Sequence, residues 1–195
     1  NNSYANSLTK ALNKLRSKDV GRALVDYLAG DAGKVEIGDV RRNKDGKALD
    51  GNSASKDGTF IAWNPDNWNG GPDTNGGNKR NPFIGLGHEM AHTEDIWKGT
   101  YIDKEWVKIG LKSVPEADKY ATHIENQLRS EHGMPLRTHY GMFVDGKGIP
   151  STQVLLSVAN EHFGIYFNQF KTVNIRNTTF GPIIKPVLRI LPYQY

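Results

Sequence analysis

The pentapeptide His88-Glu89-Met90-Ala91-His92 limits what this chain can fold into more than any other stretch. Residues four apart on a helix share one face, so His88 and His92 can aim two imidazoles at a single ion, with Glu89 on the adjoining face. This H-E-x-x-H set suits a zinc site with two histidine ligands and a carboxylate positioned to take a proton from water. The flanks agree. Asn81-Pro82 reads as an N-cap followed by proline at the first helical position. Phe83, Leu86 and Met90 then form one apolar stripe, and His88, Glu89 and His92 lie off it. Gly85 and Gly87 leave room for a partner backbone, and Gly99 is the expected helix end.

At 195 residues the chain reads as one domain: N-terminal helices over about 4–30, a catalytic core over about 34–141, and a section over 142–195 in which no motif is recognised. There is no cysteine, so disulfides and thiolate metal sites are excluded, and any metal must be held by histidine and carboxylate. Lack of cysteine suits cytosolic work and also a chain threaded through a secretion apparatus. The formal net charge of +4 is spread along the sequence and forms no basic stripe with interleaved aromatics, which argues against nucleic acid. No apolar run is long enough to span a membrane. The chain begins with Asn1 and shows no signal segment, so it is expected to be processed or part of something longer.

Helical spacing predicts helices over Tyr4–Leu15 and from Asp19 to Gly30. Lys34–Val40 alternates like a half-buried strand, Asn43–Asp57 reads as a loop or hairpin connection, and Thr59–Trp63 is a second strand. The edge of such a sheet is a candidate surface for binding an extended peptide. Asn67–Asn81, rich in Gly and Asn, reads as a flexible surface loop, either a lid or a plain connector. A short apolar element over Glu105–Leu111 precedes a helix from Glu116 to about His132, with Ala117, Tyr120, Ala121, Ile124 and Leu128 on its apolar face. Val154–Ala159 reads as helical; Ile165–Val173 and Ile183–Leu191 are ambiguous. The expected fold is α+β and zincin-like: a small twisted sheet, the H-E-x-x-H helix beneath it, and the Glu116–His132 helix alongside.

A catalytic zinc needs a third protein ligand. Glu125 is the first choice, held mid-helix with Asn126 and Arg129 nearby to orient it or to steady an oxyanion. Glu116 is second, at a helix start where a carboxylate is favoured anyway, and Asp103 is third. His123, His132, His139 and His162 are further imidazoles. For the oxyanion, Tyr140 is preferred over Arg137 and Arg129.

The run Gly87-His88-Glu89-Met90-Ala91-His92, followed by Glu125-Asn126-Gln127-Leu128-Arg129-Ser130-Glu131-His132-Gly133-Met134-Pro135-Leu136-Arg137 and Tyr140-Gly141, resembles the M91 family of zinc metallopeptidases. These are bacterial effector and toxin domains, similar to the type III secreted protease that cleaves host MAP kinases. The downstream block E-N-x-x-R-x-E-x-G-x-P-x-R-x-x-Y carries the specificity of the likeness, which covers about residues 59–141 and includes Asn64-Pro65 at a strand end. Gly99-Thr100-Tyr101-Ile102-Asp103 is similar to the Gly-Thr-x-x-Asp of aspartate-liganded zinc peptidases, but Trp106-Val107 stands where those have Tyr-Gly.

The M91 likeness implies a zinc endopeptidase with one Zn2+ per chain, secreted or translocated into a host or competitor cell and cleaving a protein in its cytosol. It would act as a monomer, with delivery machinery or an immunity protein as further partners. The competing expectation is a non-catalytic binding module with a structural metal, which has no need of Glu89.

Overall fold

The computed structural model describes residues 2–30, 34–39, 51–109, 111–137 and 139–141. The chain opens with two helices, α1 (Asn2–Arg16) and α2 (Asp19–Ala29). Their apolar spacing serves the purpose expected of it: Leu15, Leu24 and Leu28 are buried in the main core. Lys18 offers α2 no side-chain cap; instead the Glu131 carboxylate accepts from Val20 N at 3.0 and 3.1 Å.

Strands β1 (Glu36–Asp39), β2 (Ser53–Ala54) and β3 (Phe60–Trp63) form one sheet in the order β1-β3-β2. β1 runs parallel to β3 with Glu36 opposite Phe60, and β2 runs antiparallel with Ala54 opposite Ile61. Central β3 buries Ile61, Ala62 and Trp63 in succession because it is covered on both faces. Trp63 Nε1 donates to Pro82 O at 2.9 Å and hooks the sheet to the next helix.

That helix, α3 (Pro82–Trp97), packs against α1, α2, β2 and β3. Asn81 accepts from Phe83 N at 3.4 Å, Pro82 occupies the first turn, and Gly99 leaves the helix at φ +70. One expectation is corrected. Rather than a single apolar stripe, every residue from Pro82 to Thr93 is buried, because α3 is surrounded on all sides. The two small residues meet side chains and not a partner backbone. A Cβ on Gly87 would lie 2.4 Å from Leu128 Cδ1, and one on Gly85 would lie 2.8 Å from Asn52 Nδ2.

The apolar element predicted over 105–111 is the first part of a hairpin, β4 (Glu105–Ile109) and β5 (Lys112–Pro115). Helix α4 (Ala117–Glu131) follows and lies along α3, as expected. Ala117, Tyr120, Ala121 and Leu128 are buried, but so are His123, Glu125, Asn126 and Arg129 on its polar face.

The segment before α3 is a surface loop, as expected, and it is tied down by its own hydrogen bonds. Gly70 N donates to Asn78 O at 2.9 Å and Arg80 N to Trp68 O at 2.7 Å, and Thr74 N reaches across to Leu136 O at 2.9 Å. Its Asn and Asp side chains close turns on their own backbone, and the tip is paired with the chain beyond α4.

The architecture is α+β. Among the described residues no helix is long and apolar enough to cross a membrane. Part of the connection expected over Asn43–Asp57, the helix expected at Val154–Ala159, and the two ambiguous runs beyond it lie outside the described residues.

Candidate metal centre

Helix α3 presents His88 and His92 one turn apart, their ring centroids 5.0 Å apart at 81°. The partner they meet is Asp118, in the first turn of α4. Asp118 Oδ1 lies 3.4 Å from Nε2 of His88 and 3.4 Å from Nε2 of His92. These three residues are 4 %, 9 % and 6 % exposed for His88, His92 and Asp118. A separation of 3.4 Å is long for a hydrogen bond between nitrogen and oxygen. It matches the edge of a tetrahedron whose corners sit about 2.0–2.1 Å from a central zinc, which is about 3.3–3.4 Å. Two imidazole nitrogens and one carboxylate oxygen are also a donor set that zinc accepts. The residues present therefore fit the metal.

Burial opposes ionisation of Asp118, but the two imidazoles outweigh it and hold the carboxyl below the usual carboxylate range. Burial likewise works against a charged His88; Asp118 and then Glu125 outweigh it and raise the imidazole above its ordinary value.

Glu125, the expected third ligand, is not part of this group. It is fully buried and has turned to three arginines. Oε2 lies 2.9 Å from Arg80 Nη1 and 2.9 Å from Arg137 Nη1, and Oε1 lies 2.9 Å from Arg129 Nε. Oε2 is also 3.0 Å from Nδ1 of His88, close enough for charge attraction but off the N–H line that a hydrogen bond requires. Burial raises the Glu125 pKa, and the charges of Arg80 and Arg137 overcome it, so that it lies well below the ordinary carboxylate range.

The remaining carboxylates and imidazoles with a claim on the metal also stand apart. Glu116 pairs with Lys119 at the mouth of α4. Asp103 is 3.2 Å from Lys56 Nζ at the surface. His123 meets Gln127 at 3.2 Å, His132 packs edge-on against Phe83, and His139 accepts from Arg137 Nε through its carbonyl at 3.1 Å. His162 lies outside the described residues.

A cleft of about 460 Å³ opens beside the centre, lined among others by His88, Glu89 and Tyr140. Trp106 packs edge-on against the Tyr140 ring at 5.9 Å, and the Arg137 guanidinium stacks on it at 4.6 Å. Burial first, and then the charge of Asp118, push the Tyr140 phenol above its ordinary pKa, so at neutral pH it is a hydrogen-bond donor. The two arginines considered for the same purpose are already engaged. Arg129 donates to Glu125, to Pro135 O at 2.9 Å and to Gly70 O at 3.2 Å. Arg137 donates to Glu125, His139 O and Tyr140 O.

The downstream block thus has a structural meaning. Glu125 and Arg129 knit α4 to the loop at Gly70, while Asn126 pairs with both the N–H and the carbonyl of Arg137, at 2.7 and 3.0 Å.

A buried histidine pair with a carboxylate, beside a glutamate in an open cleft, could hold a metal ion next to a group able to take a proton. Residues 1–108 match the family model of the M91 peptidases, described as effector proteins, and the chain belongs to that family. The match takes in α1 and α2, which the motif likeness left out, and ends before Asp118 and the Glu125–Tyr140 block. No curated protein and no solved structure matches the chain significantly.

Proposed function

We propose that this chain is a zinc-dependent endopeptidase of zincin type, delivered as an effector into another cell to cleave a protein in its cytosol. His88, His92 and Asp118 are the metal ligands in this reading, with Asp118 replacing Glu125. The observation that carries it is the pair of equal 3.4 Å separations from Asp118 Oδ1 to the two Nε2 atoms, next to Glu89 in a cleft. Zinc held there would supply Lewis-acid polarisation of a peptide carbonyl and a lowered pKa for water.

The chain's own residues supply the rest. Glu89 takes the proton from the attacking water and returns it to the leaving amine. The Tyr140 phenol donates to the carbonyl oxygen as charge develops there. Glu125, with its three arginines behind it, sets a negative charge 3.0 Å from Nδ1 of His88, which favours a proton on that nitrogen and leaves Nε2 for the metal. Membership of an effector family and the cleft beside Glu89 support the protein-directed reading.

The test is metal content and peptide hydrolysis measured together. Wild type should carry about one zinc per chain. Asp118→Ala should lose it, and Glu89→Gln should keep the metal and lose hydrolysis. Near-normal hydrolysis by Glu89→Gln, or zinc retained by Asp118→Ala, overturns the assignment.

A further inference from the structure

Three guanidiniums surround Glu125, and one carboxylate cannot neutralise them. Arg80, Arg129 and Arg137 are 8 %, 1 % and 6 % exposed, so this excess positive charge is buried, where it is costly to leave uncompensated. The two carboxylates on the metal side, Asp118 and Glu89, are already needed to offset a divalent ion.

The unspent charge faces the cleft through one residue. Arg129 and Arg137 have committed their guanidinium nitrogens to Glu125 and to backbone carbonyls. Arg80 has not. Its Nη1 is on Glu125, its Nε is buried without a partner, and its Nη2 makes no hydrogen bond among the described residues. Beside it, Asn52 Nδ2 is likewise buried without a partner.

These spare donors lie side by side against Gly85 of α3. Asn52 Nδ2 and Arg80 Nη2 stand 2.8 and 3.1 Å from the point a Cβ on Gly85 would occupy. Arg80, Asn52 and Lys112 all line the cleft, and among the described residues Glu89 is its one acidic lining residue.

We infer that the cleft contains an anion subsite, built from Arg80 and Asn52 with Lys112 at its rim, that takes a carboxylate of the peptide bound there. Resting on the endopeptidase reading, it makes the substrate a segment with an acidic group beside the scissile bond. A side-chain carboxylate and a chain-terminal carboxylate offer the same chemistry, and the test separates them.

The experiment uses the zinc-loaded full chain carrying Glu89→Gln to measure binding, and wild type to measure cleavage. Fluorescent N-acetylated peptides come in three forms: one Asp or Glu with an amidated end, the matching Asn or Gln with an amidated end, and a neutral peptide with a free carboxylate end. The first should bind about tenfold tighter than the second. Asn52→Asp, which keeps the oxygen that accepts from Asn64 N, and Lys112→Glu, both away from the Glu125 pairs, should each reduce that advantage at least threefold. If only the third form gains, the anion is a chain end and the side-chain assignment is overturned. Equal binding of the acid and amide forms overturns the subsite, as does an advantage unchanged by both variants. If wild type cleaves none of the peptides while the acid preference in binding persists, the subsite stands and the endopeptidase reading falls. If it cleaves acid and amide peptides equally well, the reverse holds.

Discussion

Asp118 and Glu125 stand two turns apart on one face of α4 and address opposite nitrogens of the same ring. Asp118 Oδ1 is 3.4 Å from Nε2 of His88, and Glu125 Oε2 is 3.0 Å from its Nδ1. In the proposed reading, Asp118 shares a metal with the ring and Glu125 sets how the ring lies.

Substitution separates the two tasks. Asp118→Asn should abolish zinc binding with the fold retained. Glu125→Gln should keep the metal but weaken it roughly 10–100-fold, as removal of an outer partner of a metal-binding histidine does. It should also cost about 3–5 kcal/mol of stability, because three buried guanidiniums lose their counter-charge. Chelator titration and urea melts read the two effects apart. An apo protein from Glu125→Gln and a normal one from Asp118→Asn would reverse the roles.

Acid should destabilise the protein through the same carboxylate. Glu125 has a folded pKa well below its ordinary 4.5, so the unfolded chain takes up the proton first. Its stabilisation is complete above about 4.5 and is lost as pH falls below that value. His88, in metal-free protein, works the other way: its folded pKa is raised above 6.5, so its contribution is full below 6.5 and lost as pH rises through the folded value. Urea midpoints of the chelated protein should fall on both sides of that window. A wild type that loses no more stability below 4.5 than Glu125→Gln would contradict the first half.

Tyr140→Phe removes a donor and keeps the ring between Trp106 and Arg137. If the phenol steadies the oxyanion, kcat should drop about 10²–10³-fold with KM nearly unchanged. Trp106→Ala should lower kcat less, by loosening the ring. A KM effect alone from Tyr140→Phe would make the phenol a substrate-binding group.

Gly87→Ala should destabilise by about 1–3 kcal/mol, since the new methyl would sit 2.4 Å from Leu128 Cδ1. Pairing it with Leu128→Ala should recover part of its cost. A melting temperature unchanged by Gly87→Ala alone would show that α3 and α4 can separate freely.

Much of the frame was legible because its signals are local. Asn81, Pro82 and Gly99 bound α3 through capping chemistry that needs no knowledge of the rest of the chain. The carboxylate that meets the two histidines, Asp118, was not, because an acid in a first helical turn has an ordinary excuse to be there. Helical geometry held the clue. Glu116 is nine residues before Glu125 and falls on the opposite side of the helix, whereas Asp118, seven before, falls within about 20° of it. The segment ahead of α3 was legible as a surface loop but not in what ties it down. Asn67 and Asp73 suggest slack chain, yet their side chains accept from the backbone of Asn69 at 3.0 Å and of Asn75 at 2.8 Å. What pins it, the Thr74 N to Leu136 O bond, joins positions too distant in sequence for any local rule to foresee.

The arginines gathered on Glu125 come from separate parts of the chain. Arg80 is 45 positions from that glutamate, and Arg129 reaches Gly70 across 59. Without these contacts the carboxylate beside Nδ1 of His88 would have no counter-charges to hold it there. The setting of His88 therefore depends on contacts between distant parts of the chain and not on α3 alone. Helix α3 alone would carry both histidines without the charge that backs them, so the pentapeptide by itself is not yet a site.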